Sequence, residues 1–198
     1  MPLNIFLALV LFSTVMAFTP GPNNIMLAAS GVNFGFARTV PHMAGITLGF
    51  FALLAACGAG LGLVFTALPG LQLGLKVAGA AYMLFLAFKV ATAHLSKADG
   101  APPPRPFTFL QAAAFQWVNP KAVVACLSAM AIYVRPGHER TDFPILLAVL
   151  MTATVLSTST WAGFGVGLRR LLREPGHARV FNLAMALLLV ASVVPMVV

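Results

Sequence analysis

Acidic residues are nearly missing from this sequence. Among its 198 residues there are only four Asp and Glu side chains, and charged residues of both signs make up 8% of the chain. A soluble domain usually carries about 25% charged residues. Hydrophobic residues account for 60% of the chain, so the composition excludes an ordinary water-soluble domain and favours a protein that has lipid as its solvent.

Long stretches of the chain contain no charged residue at all. These stretches are residues 1–37, 39–75, 143–168 and 180–198. A helix of roughly 20 apolar residues crosses a hydrocarbon core about 30 Å thick. Each stretch is therefore long enough to span a membrane, and the segments 71–93 and 107–134 add two more. We predict an all-α membrane protein with six transmembrane helices.

The basic residues lie mostly on one side of this predicted arrangement. A net charge of +8 would suggest nucleic-acid binding in a soluble protein. Here the loops after the first, third and fifth spans hold most of the positive charge, in Arg38, Lys89, Lys97, Arg105, Arg169, Arg170, Arg173 and Arg179. Lys and Arg are retained on the cytoplasmic side of a membrane. The lipid bilayer is therefore the expected partner rather than nucleic acid, and both termini should face outward.

A polar, proline-rich linker at residues 95–106 divides the single transmembrane domain into two halves, 1–94 and 107–198. Each half would contain three spans. Because three is an odd number, the second half enters the membrane in the opposite orientation to the first, as in an inverted-topology repeat. Proline interrupts the first span of both halves, at Pro20 and Pro22 in one and at Pro120 in the other.

The two interruptions predict half-helices that begin inside the membrane. An interior proline removes a backbone hydrogen bond, and in lipid the freed groups need partners in the protein or in a water-lined cavity. Thr19 and Asn119 are favourable N-cap residues, each followed by a proline that suits the first helical position. We expect two helix N-termini that face one another from opposite leaflets. Such ends suit an anion, for example an α-carboxylate.

The residues around these breaks are the candidate substrate-binding site. Lys121 would add a full positive charge in the first turn of the second half-helix, and the nearby amides would bind an ammonium group or a polar side chain. The candidate residues are Thr19, Pro20, Gly21, Pro22, Asn23, Asn24, Gln116, Asn119, Pro120 and Lys121. The alternative is that the prolines merely kink packed helices and that Lys121 snorkels to the cytoplasmic surface.

Catalytic and metal-binding motifs are absent from the sequence. It contains no His-Glu-x-x-His, no Gly-x-Ser-x-Gly and no phosphate-binding glycine loop. Its two cysteines, Cys57 and Cys126, lie in apolar segments outside any Cys-x-x-Cys pair. The sequence therefore predicts a protein that is not an enzyme and that has neither a cofactor nor a metal site.

Several glycines and one histidine are further residues with a possible structural or functional role. Pairs such as Gly45 and Gly49, and the series Gly163, Gly165 and Gly167, predict close helix packing, with lining of a pathway as the alternative. His42 is the only histidine near an apolar span. It is a candidate proton carrier, but a surface histidine at the cytoplasmic end of a helix is the favoured interpretation.

Three motifs together resemble the LysE-type family of amino-acid exporters. They are Thr19-Pro20-Gly21-Pro22-Asn23-Asn24 with the following Gly35-Phe36, then Ala78-Gly79-Ala80-Ala81-Tyr82, then Asn119-Pro120-Lys121. The resemblance covers essentially the whole chain and is closest to the cysteine/O-acetylserine exporter branch. It implies six spans in the bacterial cytoplasmic (inner) membrane, with the outward-facing termini in the periplasm. It also implies efflux of amino acids or close derivatives by proton antiport.

One departure from this family narrows the expected substrate. Many relatives have Asp where this chain has Asn23, so no predicted span contains an acid that could pair with a cationic substrate. A charge without a partner inside the membrane is expensive. We therefore expect export of small neutral amino acids or derivatives, of the cysteine, O-acetylserine, homoserine or threonine type. The same departure leaves proton coupling without an obvious residue.

Two other functions and the oligomeric state stay open. A membrane thiol–disulfide electron carrier would need reactive cysteines beside the breaks, whereas Cys57 is predicted in the second span and Cys126 lies beyond Pro120. A non-transporting membrane scaffold would leave the paired breaks and Lys121 unexplained. The sequence does not decide whether copies of the chain form a homo-oligomer.

Overall fold

Every regular element in the described part of the chain is helical. The structure, a computed structural model, describes residues 1–62, 67–92, 105–169, 175–191 and 193. Its helices are α1 (Leu3–Phe18), α2 (Pro22–Phe34), α3 (Phe36–Ala56, continued by a π-helical turn at Cys57–Leu61), α4 (Pro69–Thr92), α5 (Phe109–Val118), α6 (Pro120–Tyr133), α7 (Glu139–Leu168) and α8 (Pro175–Ala191). Residues 95–104 of the predicted linker, which include Lys97, lie outside the described residues. Arg170 and Arg173 lie outside them as well.

Several of these helices match membrane dimensions. The stretches Phe36–Gly60, Leu73–Thr92 and Glu139–Leu168 are each long and apolar enough to cross a bilayer. Helices α1 and α2 together form a fourth candidate span, bent by 52° at the break between them. Helix α6 and residues Arg179–Ala191 of α8 are apolar but shorter. The all-helical prediction is confirmed in the described residues, while the six-span topology and the inverted repeat stay predictions.

The largest helix contacts join the two predicted halves of the chain. Helix α2 packs against α7, α3 against α5, and α4 against α8. Glycine allows the backbones to approach at two of these crossings. A Cβ atom built on Gly165 of α7 would lie 2.1 Å from the Ala28 carbonyl oxygen of α2, and one on Gly45 of α3 would lie 2.3 Å from the Phe109 carbonyl oxygen of α5. The predicted packing role of glycine is confirmed at these two positions. It is not confirmed at Gly163 or Gly167, where an added Cβ atom would meet no atom of another described element within 4 Å.

The buried core brings the two cysteines together. Cys57 at the end of α3 and Cys126 in α6 are both buried in one apolar cluster with Leu53, Leu54 and Leu146. The two side chains therefore pack in the same part of the core. The sequence showed no such pair, because the two residues come from different halves of the chain.

Candidate functional site

The first break in the fold lies between α1 and α2. Gly21 is the N-cap of α2 and Pro22 is its first residue. The prediction that Thr19 is this N-cap is wrong: Thr19 is the C-cap of α1, and its hydroxyl donates to the Val15 carbonyl oxygen at 2.5 Å. The physical reason is the second proline. Pro22 suits the first helical position better than an interior one, so the helix restarts there, two residues later than predicted.

The second break lies between α5 and α6 and follows the prediction. Asn119 is the N-cap of α6, and its side-chain oxygen accepts a hydrogen bond from the Lys121 backbone N–H at 3.2 Å. Pro120 is the first residue of this helix, where its missing N–H costs no intrahelical hydrogen bond. Lys121 is thereby fixed in the first turn of α6.

The two breaks touch each other. Lys121 Nζ donates to the Thr19 carbonyl oxygen at 2.5 Å. Asn23 Nδ2 donates to Gln116 Oε1 at 2.8 Å, and Gln116 Nε2 donates back to Asn23 Oδ1 at 3.2 Å. Gly21 leaves room for the lysine stem, since a Cβ atom there would lie 2.9 Å from Lys121 Cδ. Lys121 therefore reaches across to the first break.

Side chains from other elements satisfy the backbone at the first break. Because α1 ends at Phe18, its last carbonyl groups lack the donors that a continuing helix would supply. Asn24 Nδ2 donates to the carbonyl oxygens of Ala17 at 2.8 Å and Thr19 at 3.0 Å, and Ser157 Oγ of α7 donates to that of Ala17 at 2.6 Å. The amide hydrogens of Asn24 thus hold the break together. Sequence reasoning missed Ser157 because a serine so distant along the chain gives no local signal.

A cavity opens where the breaks meet. Its volume is about 610 Å³ counted together with its open mouth. The predicted residues that line it are Gly21, Pro22, Asn23, Asn24, Gln116, Asn119 and Lys121, while Thr19, Pro20 and Pro120 are not in its lining. Unpredicted lining residues are Ser13, Met16, Ala17, Ile46, Phe50, Ala122, Ala125, Leu150, Thr154, Ser157 and Thr158. All of these residues are apolar or carry a hydroxyl group. Their sequence pattern is the same as that of residues that only pack between helices, so the sequence did not identify them.

The electrostatics of the cavity are one-sided. Lys121 is the only charged side chain among the described residues that line it, and no carboxylate does so. The buried carboxylate of Asp142 lies elsewhere and is engaged by Arg135, with Nε 2.7 Å from Oδ2. A molecule with one carboxylate and an otherwise neutral, hydrogen-bonding body would complement one cation surrounded by amides and hydroxyls.

Two further expectations can be checked in the described residues. Among them there is no group of three or more His, Cys, Asp or Glu side chains that could hold a metal ion. The interpretation of His42 as a surface histidine is wrong, because its side chain is only 1% exposed and packs against Phe107. Phe107 comes from the segment just before α5, a contact between distant parts of the chain that the local sequence does not reveal.

Comparisons with known proteins agree with the motifs. The LysE type translocator family matches residues 14–196. The chain is 33% identical over 181 residues to the cysteine/O-acetylserine efflux protein of Escherichia coli strain K12, covering 90% of each chain, and equally similar to that of Shigella sonnei strain Ss046. No solved structure matches significantly. A family of translocators, together with the apolar helices, indicates a bacterial membrane protein with a transport role rather than an enzymatic one. This chain belongs to the LysE-type translocator family.

Proposed function

We propose that this protein is a secondary transporter that exports small neutral amino acids or derivatives, of the cysteine, O-acetylserine, homoserine or threonine type, by proton antiport. The observation that carries the proposal is the cavity at the meeting point of the two breaks, with Lys121 as the only charge in its described lining. The efflux proteins to which the chain is similar support the substrate class.

The substrate carboxylate binds at Lys121 in this proposal. The ammonium group of Lys121 is already directed into the site, and the N-terminal turn of α6 adds positive partial charge. The lysine gives up or shares its hydrogen bond to the Thr19 carbonyl oxygen, which also accepts a hydrogen bond from Asn24 Nδ2 at 3.0 Å. Binding of a carboxylate therefore leaves no buried backbone group without a partner.

The substrate amino group binds the neutral side of the cavity. Each amide oxygen of Asn23 and Gln116 accepts one hydrogen bond from its partner and retains a second lone pair. No carboxylate in the described lining is available for a second positive charge on the substrate. This arrangement favours neutral side chains over those of lysine and arginine.

The proposed topology follows the charges. Six spans in the bacterial cytoplasmic membrane, with both termini in the periplasm, place the basic loops on the cytoplasmic side. Arg38 and Arg169 support this arrangement, because they lie at the same end of the bundle, with Arg169 Nη1 3.5 Å from the position of a Cβ atom on Gly35.

Overproduction tests the substrate class. Cells that overproduce the protein should become more resistant to cysteine, O-acetylserine, homoserine or threonine and should accumulate the exported compound in the medium. Resistance to toxic lysine analogues should not change, because the cavity lacks a counter-ion for a cationic side chain. The measurement is growth inhibition together with an amino-acid profile of the medium, against cells with an empty vector. Export dominated by lysine or arginine would contradict the proposal.

A thiol–disulfide electron carrier is the second candidate, because Cys57 and Cys126 lie together. Both thiols are buried, and neither lines the cavity. Such a carrier would need its thiols to reach partner proteins, which this burial does not provide.

Removing both thiols separates the two candidates. The double variant Cys57→Ala, Cys126→Ala should export at the wild-type rate per molecule, because the thiols touch neither Lys121 nor the paired amides. Its smaller side chains should lower stability modestly through lost packing, so protein levels must be measured and the rate normalised to them. Export that disappears from a well-folded double variant would support redox chemistry instead.

A further inference from the structure

His42 is a buried polar side chain that the proposed substrate site does not use. His42 of α3 is 1% exposed, and among the described residues neither its Nδ1 nor its Nε2 has a hydrogen-bond partner. Its ring lies against that of Phe107, with centroids 5.2 Å apart. Buried polar groups are almost always hydrogen-bonded, and an exception calls for an explanation. A histidine with two unpartnered nitrogens is costly to keep if its only role is packing.

The histidine lies next to the cavity. His42, Ile46 and Phe50 are four residues apart and share one face of α3, and the latter two line the cavity. One helical turn, about 6 Å along the axis, separates His42 from Ile46. On the side away from the cavity, Thr39 donates to the Gly35 carbonyl oxygen and shares a 2.8 Å hydrogen bond with Ser30. Thr39 and Ser30 therefore add polar groups between His42 and the end of the bundle that carries Arg38, while the apolar Ile46 separates His42 from the cavity.

The charges around His42 favour a neutral ring in this conformation. The basic groups at its end of the bundle include Arg38 on its own helix, Arg169 at the end of α7, and Arg105, which is two residues before Phe107. From α4, the Tyr82 ring packs on Phe107, while α2 and α5 contain no titratable side chain and α6 presents Lys121 at the cavity. The described acids, Glu139 and Asp142, start α7 at the opposite end. Among the described residues, an imidazolium at His42 would thus be a buried charge without a counter-ion.

We propose that His42 is the residue that binds and releases the transported proton. This inference rests on the proposed function. A lone pair of the neutral imidazole takes up a proton when a conformational change admits water past Ile46, giving an imidazolium ion. The ring returns the proton to water before it is buried again as seen here. The protein then changes between its two conformations either with substrate bound and His42 neutral, or without substrate and with His42 protonated. This coupling exchanges one proton for one substrate, as antiport requires.

Transport in purified vesicles tests the assignment. The protein is reconstituted in liposomes and supplied with labelled cysteine kept reduced, O-acetylserine, homoserine and threonine in turn. Two modes are measured: accumulation against a pH difference of one unit, and exchange with the same compound on both sides without a pH difference. Coupling of one proton per substrate would sustain a concentration ratio of about tenfold. His42→Gln should show no net accumulation at any pH difference but should exchange at a rate close to that of the wild type.

Two further variants make the result specific. His42→Met fills a similar volume without unpartnered nitrogens, so it should be at least as stable as the wild type and show the same loss of accumulation with retained exchange. His138→Gln, at an exposed histidine before α7, should behave as the wild type in both modes. Accumulation by either His42 variant at the wild-type ratio would overturn the assignment while leaving export intact. A wild type that exchanges but ignores the pH difference would overturn proton coupling and the role of His42 together. A wild type that transports none of the four compounds would overturn the proposed function as well.

Discussion

Replacing Lys121 by Met should reduce the apparent affinity for the exported amino acid roughly 10- to 100-fold, because a hydrogen bond to a charged group contributes about 1.5–3 kcal/mol. Methionine keeps most of the apolar stem that passes Gly21 but removes the ammonium group. The hydrogen bond lost within the protein is the one to the Thr19 carbonyl oxygen, which keeps its hydrogen bond from Asn24 Nδ2. Insertion and stability should therefore change little. Concentration-dependent transport in vesicles measures the affinity.

A second lysine provides the control for this variant. Lys89 is exposed on α4, with its Nζ 5.1 Å from the centre of the Phe85 ring and away from the cavity. Lys89→Met removes the same charge and should leave the transport affinity unchanged. If Lys121→Met transports with wild-type affinity at normal protein levels, Lys121 does not bind the carboxylate, and the site would have to lie at the α2 N-terminus instead.

A single methyl group at Gly165 should destabilise the fold by about 1–3 kcal/mol or more, as is typical of overpacking. The added Cβ atom of Gly165→Ala would lie 2.1 Å from the Ala28 carbonyl oxygen and 2.9 Å from the Ala28 carbonyl carbon. These are backbone atoms of α2, so no side-chain rotation relieves the clash. We expect a lower thermal unfolding midpoint in detergent and a lower yield of folded protein.

Neighbouring glycines on the same helix should respond in the opposite direction. Gly163 and Gly167 lie two residues to either side of Gly165. A Cβ atom added at either position would meet no atom of another described element within 4 Å. Alanine at either position should raise stability by about 0.5–1 kcal/mol, since glycine is unfavourable inside a helix. Equal unfolding midpoints for Gly163→Ala and Gly165→Ala would show that α2 and α7 do not cross as closely as described.

Sequence reasoning predicted features that local chemistry determines. The helical character follows from long apolar stretches, and the N-cap at Asn119 follows from an N-cap residue before a single proline. The first break was misplaced by two residues because two prolines compete there, and only the fold shows that the helix restarts at Pro22. The proximity of Lys121 to Thr19 depends on packing between the two halves, which no local pattern encodes.

The same limit explains what was missed. Ser157 donates to a carbonyl oxygen of α1 from α7, and the buried His42 packs against Phe107, which comes from the other half of the chain. Both depend on contacts between residues far apart in the chain. A serine in an apolar span and a histidine near a basic helix end have common structural explanations, so the sequence alone could not distinguish them from ordinary residues.

The glycine crossings limit how the molecule can move. Backbone meets backbone where α2 crosses α7 at Gly165 and where α3 crosses α5 at Gly45 and Gly49. Contacts this close resist sliding, because interiors are tightly packed and deform little. Each crossing joins a helix of residues 1–94 to one of residues 107–198, so those two stretches cannot rock apart as intact units without breaking both crossings. If rigid bodies move to expose the cavity to alternate sides of a membrane, each body would combine helices from both stretches. The division between the moving bodies would then not fall at the linker.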